Sequence, residues 1–173
     1  MLRAGVLGFA AITVPMYVSR VMGLSKLDLP HLLGMLVLPA GWRARLVGLL
    51  PHTAASMIVF PLVYQSIFQA GGMRPSGTAG MKLAAFHWLL SGVALWVVGL
   101  NPRLERSESA NEPARGRGVE SPGAFALNYG AFTAVSFALG HLLYGATLGV
   151  SMSRTAERRP AMATHSDSER LVA

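Results

Sequence analysis

The chain has no cysteine at all among its 173 residues. That absence excludes a disulfide, a cysteine-ligated iron–sulfur cluster, a thiol nucleophile and c-type haem attachment. Charge is nearly as scarce, at 13% of residues, against roughly a quarter in an average soluble domain. Carboxylates are scarcest of all, and Asp28 is the only acidic residue before Glu105. No Asp, Glu, Lys or Arg lies in the interior of any long hydrophobic run, where carriers of cations and protons commonly place ionisable groups. A secondary transporter is therefore disfavoured. No serine or aspartate pair has the spacing of an intramembrane protease, and no glycine loop suited to phosphate is present. No residue is a catalytic candidate, and nothing supports an enzyme.

Apolar sequence fills the space that charge leaves. Hydrophobic residues make up 52% of the chain and mean hydropathy is +0.44. From Ser121 to Ser153, 33 residues carry no charge, well beyond the ~20 needed to cross a bilayer. Three more runs precede it, and the expected fold is all-α: a polytopic four-helix membrane bundle with helices near 3–22, 46–69, 82–100 and 124–152. Met1-Leu2-Arg3 followed by an apolar stretch could also open a cleaved signal peptide. The run continues through Pro15, Tyr17 and Val21 without a small-residue cleavage site, which favours a retained helix. After it, His31 to Leu38 lies between Pro30 and Pro39, eight residues and too few to span. That segment is expected in the interface or as a re-entrant dip, with Asp28 as its N-cap.

The net charge of +7 and pI near 10.8 do not point to nucleic acid, because every Lys and Arg lies in flanks and loops. They read instead as anchors at the membrane ends, in contact with lipid headgroups. Four spans put both termini on one side. The face with the first and third loops then holds eight basic residues (20, 26, 43, 45, 103, 106, 115, 117) and the other holds seven (3, 74, 82, 154, 158, 159, 170), too even a split for the positive-inside rule to orient the bundle. Residues 101–122 turn abruptly to Arg, Glu, Ser, Gly and Pro and read as a solvated linker dispensable for folding. Residues 154–173 read as a disordered basic tail.

On the last helix Ala134, Ala138, His141, Gly145 and Gly149 share one face, a stripe of small residues around a single imidazole. Such a stripe faces other helices, since small side chains let backbones approach and imidazole is poorly placed against lipid. The pattern of a histidine followed one turn later by a small residue occurs three times, at His52/Ser56, His87/Ser91 and His141/Gly145. Two readings follow. Either the imidazoles line a site, or each hydrogen-bonds across a close helix contact that the small residue permits. Depth along each helix, at 1.5 Å per residue, places His87 and His141 on one level, about 6 and 4 Å from their midpoints towards the same side. It places His52 towards the other side, nearer His31. The candidates for cofactor binding are thus His87, His141, His52 and His31, with haem b, a metal ion or a quinone as the group held; Ser91, Tyr144 and backbone carbonyls would orient the rings.

The stretch Met22-Gly23-Leu24-Ser25-Lys26-Leu27-Asp28-Leu29, then Leu33-Gly34-Met35-Leu36, His52 with Tyr64, and finally His141-Leu-Leu-Tyr144-Gly145-Ala-Thr-Leu148-Gly149, resembles an uncharacterised family of small four-helix bacterial membrane proteins. The resemblance covers nearly the whole chain, and its most specific part is His-x-x-Tyr-Gly-x-x-Leu-Gly. It implies a fold and not an activity. The expected function is accordingly that of a non-enzymatic accessory or structural subunit of a complex in the cell (inner) membrane. Its expected partners are the bilayer and other subunits, with neither nucleic acid nor a soluble substrate. The alternative is a protein holding haem b, a metal or a quinone between intramembrane histidines.

Overall fold

The computed structural model describes residues 2–105 and 120–170, and no strand occurs among them. Four of the helices are long and apolar enough to cross a membrane, and the chain is a polytopic all-α bundle. The first is α1 (Leu2–Val21), unbroken through Pro15. A short helix, α2 (Leu29–Met35), follows at the place expected for the interfacial segment. The second span is built from α3 (Trp42–Ala54), one π-helical turn (Ala55–Val59) and α4 (Phe60–Ala70). The third is α5 (Gly77–Gly99), whose first turn is capped by Ser76 Oγ accepting from the Ala79 amide. After α6 (Pro102–Glu105) and a 3₁₀ segment (Ala124–Tyr129), α7 (Ala131–Arg170) supplies the fourth span up to about Thr155.

The central helix is α7, which packs on α1, α5 and α4. In its spanning window 39% of residues are buried, against 17–22% in the other three spans, whose large apolar side chains face outward where lipid lies. Small residues set the closest approach. A Cβ on Gly145 would collide with the Gly80 carbonyl and Ala84, one on Gly80 with the Gly145 carbonyl, and one on Gly149 with the Ser76 carbonyl. Here α5 and α7 touch backbone to backbone, as the stripe on the last helix required. Two apolar clusters fill the interior. One gathers Leu27, Leu32, Met35, Leu95, Leu104 and Phe137 at the α2 end; the other gathers Ile12, Tyr64, Phe68, Tyr144 and Leu148 beyond the midplane, and Met16 touches both.

Three expectations about boundaries are corrected. The fourth span starts at Ala131, not near 124, because Gly123 and Gly130 hold positive φ and Phe125 and Ala126 are left-handed as well (φ 56° and 59°). That conformation costs about 1–3 kcal/mol per non-glycine residue. Packing holds it: the Phe125 ring fills the space that the missing side chain of Gly92 leaves, lies 4.9 Å from the Trp88 ring, and Ala126 is fully buried. The linker is also shorter than expected. Leu104 is buried in the core, Asn101 donates to the Met35 carbonyl, and Tyr129 donates to the Glu120 carbonyl. Both ends of that stretch are therefore part of the bundle, and its middle, 106–119, lies outside the described residues. Finally, α7 runs on to Arg170, across Pro160, through the stretch expected to be disordered; Arg154-Thr-Ala-Glu-Arg-Arg159 favours the first part of that extension, and Pro160 leaves one amide missing from it.

Antiparallel order along the chain puts the α1–α2 loop and the α4–α5 loop on opposite sides. Met22 and Met73 are exposed at those two ends. Single cysteines at Met22 and Met73, the only thiols in each variant, are expected to react with an impermeant maleimide from opposite faces of the membrane. Labelling of both from one face contradicts the four-span arrangement.

Candidate functional site

The site begins with a defect in the second span. In the π turn the Phe60 amide bonds the Ala55 carbonyl, so it cannot serve Ser56. The next amide in that register would belong to Pro61, which has none. The Ser56 carbonyl is therefore orphaned in the middle of a membrane helix, where an unmet polar group costs several kcal/mol. Tyr144 meets it: its hydroxyl, on α7, donates to the Ser56 carbonyl at 2.8 Å. The same turn brings the Met57 carbonyl against Gly5, where no side chain could fit. Single π turns of this kind recur at functional sites.

Around that bond the two core clusters leave a partly open cavity of ≈ 180 Å³. Its walls are mostly apolar, and its polar groups are His52, Ser56, His87, Ser91, His141 and Tyr144. The His87 and His141 rings meet edge to face, 4.9 Å between centroids. Both nitrogens of His141 are engaged. Nδ1 lies 2.8 Å from the Phe137 carbonyl and so carries the proton; Nε2 then accepts from the Ser91 hydroxyl at 3.2 Å. Ser91 and a backbone carbonyl, two of the three groups named from the sequence as orienting the rings, hold His141 here, while Tyr144 is committed to Ser56 instead.

His87 is the opposite case. Its Nδ1 is buried without a partner, as are the Tyr64 hydroxyl and the Trp88 indole nitrogen. No hydrogen bond reaches His87 among the described residues; the ring is held by contacts with Phe60 (4.0 Å between centroids), Tyr64 (6.1 Å), Tyr144 (6.0 Å) and His141.

His52 is a correction. It was expected apart from the pair, yet it lines the same cavity, 3.4 Å from the Thr13 hydroxyl and against Phe9. The spans begin and end some residues away from the sequence estimate. With midpoints at residues 56, 88 and 143 of the observed spans, His52, His87 and His141 lie about 6, 1.5 and 3 Å from the middle. All three sit in one central layer.

His31 lies elsewhere. Its Nε2 accepts from the Gly41 amide at 3.1 Å, outside the spans and beside Asp28. Burial lowers its pKa from the ordinary 6.5, opposed by the Asp28 charge and reinforced by Arg45 and Arg20. A neutral ring is what the Gly41 contact requires, since protonated Nε2 could no longer accept. Any stability from this contact is thus complete above pH 6.5 and lost as pH falls through the lowered folded value. Thermal melts of wild type and His31→Gln should converge as pH drops from 8 to 5. Parallel melts across that range would show that His31 contributes nothing.

Among the described residues no three of His, Cys, Asp or Glu come together as a metal-binding group. The participants that sequence reading did not name are Thr13, Phe60, Tyr64's hydroxyl and the π turn; Pro61 one turn after Ser56 was the available sign of the last. No protein family, curated protein or solved structure matches this chain.

Proposed function

We propose that this chain is a non-enzymatic component of the cell (inner) membrane, of the small four-helix bacterial type it resembles, and that its bundle holds a neutral carbonyl-bearing lipid such as a quinone in the histidine cavity. One observation carries the reading: an imidazole near the middle of a candidate membrane span, on the wall of a cavity, without a hydrogen-bond partner among the described residues. A neutral imidazole presents one donor and one acceptor, and buried polar groups without partners call for an explanation. A ligand carbonyl accepting from His87 supplies one. The mostly apolar lining with a few polar groups is the usual composition of a small-molecule site.

Volume favours a ring over a macrocycle. An apolar cavity of about 150 Å³ takes a benzene-sized ring. The ≈ 180 Å³ here accommodates one substituted ring. Haem b is far larger, and the His87 and His141 rings already touch, with both His141 nitrogens engaged. The subunit role rests on the resemblance to small four-helix membrane proteins.

Titrating a short-chain ubiquinone analogue into detergent-purified protein tests the reading through quenching of tryptophan fluorescence. Saturable quenching is expected, weakened about tenfold in His87→Phe, the loss of one hydrogen bond. Unsaturable quenching that is the same in both proteins overturns it. A Soret band in the purified protein would replace the quinone with haem.

A further inference from the structure

A second cavity, of ≈ 260 Å³, opens between α1 and α3 on the α2 side of the bundle. It exists because α1 packs on the π turn, through Gly5, and parts from α3 below it. The gap is closed at its outer end by an ionic clamp. Asp28 Oδ2 receives Arg20 Nη1 at 2.5 Å, Arg45 Nη2 at 2.7 Å and Arg45 Nε at 2.8 Å. Asp28 is nearly covered, with 10% of its side chain exposed, but the Arg20 and Arg45 side chains remain 37% and 50% exposed.

Charge and donors are both left over. Two positive groups face one negative group, a surplus of one charge. Each guanidinium has five N–H donors, and of these ten Asp28 uses three. Beneath the arginines the walls turn apolar: Met16 and Tyr17 on one side, Leu46 and Leu49 on the other, with Leu46 and Leu49 themselves exposed to the bilayer. From Arg20 inward to Thr13 the groove follows about 10 Å of helix. An occupant must therefore carry a single negative charge at one end and an aliphatic chain at the other, and it must arrive from the lipid side.

We propose that this groove is a binding site for an anionic phospholipid, its phosphate bridging Arg20 and Arg45 and one acyl chain lying between α1 and α3. Phosphate accepts several hydrogen bonds in the planar geometry that guanidinium offers. A phosphodiester's one negative charge balances the surplus of the clamp. Basic pockets between transmembrane helices are suited to such headgroups. Met16, Leu29 and His52 line both this groove and the histidine cavity, so the acyl chain ends against the wall of that cavity. The site does not depend on what the histidine cavity holds.

Native mass spectrometry of the full chain, released from detergent with added phosphatidylglycerol or phosphatidylcholine, tests it. One phosphatidylglycerol should be retained preferentially, and inorganic phosphate should neither bind nor compete. Arg20→Gln and Arg45→Gln should each lower that preference about fivefold. These two changes also weaken the clamp, so the deciding variant is Leu49→Trp, which fills the groove and leaves the clamp intact. It should remove phosphatidylglycerol retention while the melting temperature without lipid stays at the wild-type value. Equal retention of the two lipids by wild type, full retention by Leu49→Trp, or competition by inorganic phosphate overturns the proposal.

Discussion

Replacing Gly145 by leucine is expected to abolish the folded bundle. Gly145 sits where α5 and α7 meet backbone to backbone, and even a methyl group there would overlap the Gly80 carbonyl and Ala84. Overpacking a core usually costs about 1–3 kcal/mol because neighbouring side chains can shift. Here the neighbour is main chain, and the contacts from Gly80 and Gly149 on either side hold it at the same separation. Relief requires moving α5 away from α7, which also pulls Ser91 from His141 and opens the edge-to-face contact with His87. The combined loss is comparable with the whole stability of an ordinary domain, about 5–15 kcal/mol. Gly145→Leu should therefore elute as aggregate on size exclusion in mild detergent. Leu143→Ala, at a side chain 47% exposed on the same helix, should elute with wild type. A monodisperse Gly145→Leu protein with an unchanged melt would show that the α5–α7 contact is looser than the backbone geometry requires.

This contact was half legible in the sequence. The small face of the last helix, with Gly145 and Gly149 beside His141, stands out because helical periodicity alone groups those residues. Its partner on α5, Gly80 and Ala84, does not, since many glycines and alanines occur in each run and only packing selects among them. The four spans were legible for a simpler reason: the bilayer demands length and apolarity, and both are additive along a sequence. Their ends were not, because hydropathy does not register a left-handed pair such as Phe125 and Ala126 or the core burial of Leu104 in a charged stretch.

The histidine layer follows the same division. His87 and His141 could be matched by counting rise along antiparallel helices, and their rings do meet. His52 was set apart because the expected midpoints of the third and fourth spans were about three and five residues off, which put His87 and His141 roughly 5 and 7 Å too far towards the other side, while His52 itself hardly moved. The unmatched carbonyl of Ser56 and its bond to Tyr144 depend on a π turn, a change in hydrogen-bond register that no periodicity of apolar residues reveals. Pro61 is the one local sign of it, by removing the amide that would have restored the pattern.

Asp28 is expected to be the most sensitive charged position in the chain, and its substitutions separate two roles. Its Oδ1 caps α2 through the His31 amide at 3.2 Å, and its Oδ2 joins Arg20 at the end of α1 to Arg45 in the first turn of α3. Asparagine caps about as well as aspartate, so Asp28→Asn removes the charge and keeps the cap. Ion pairs to half-exposed arginines contribute about 0–1 kcal/mol each, and the Asn variant should lose roughly that for the two. Asp28→Ala removes the cap as well, worth about 1 kcal/mol, and leaves the first amides of α2 without an acceptor. The total for alanine is about 1–3 kcal/mol, or roughly 2–12 °C in melting temperature for a chain of this size. Asp28 is the only acidic side chain before Glu105, so no neighbouring carboxylate on these three helices can substitute for it. The expected order of melting temperatures is wild type, Asp28→Asn, Asp28→Ala, measured in one detergent without added lipid. Equal melting for wild type and Asp28→Ala would mean that the clamp and the cap leave the bundle no more stable than packing alone makes it.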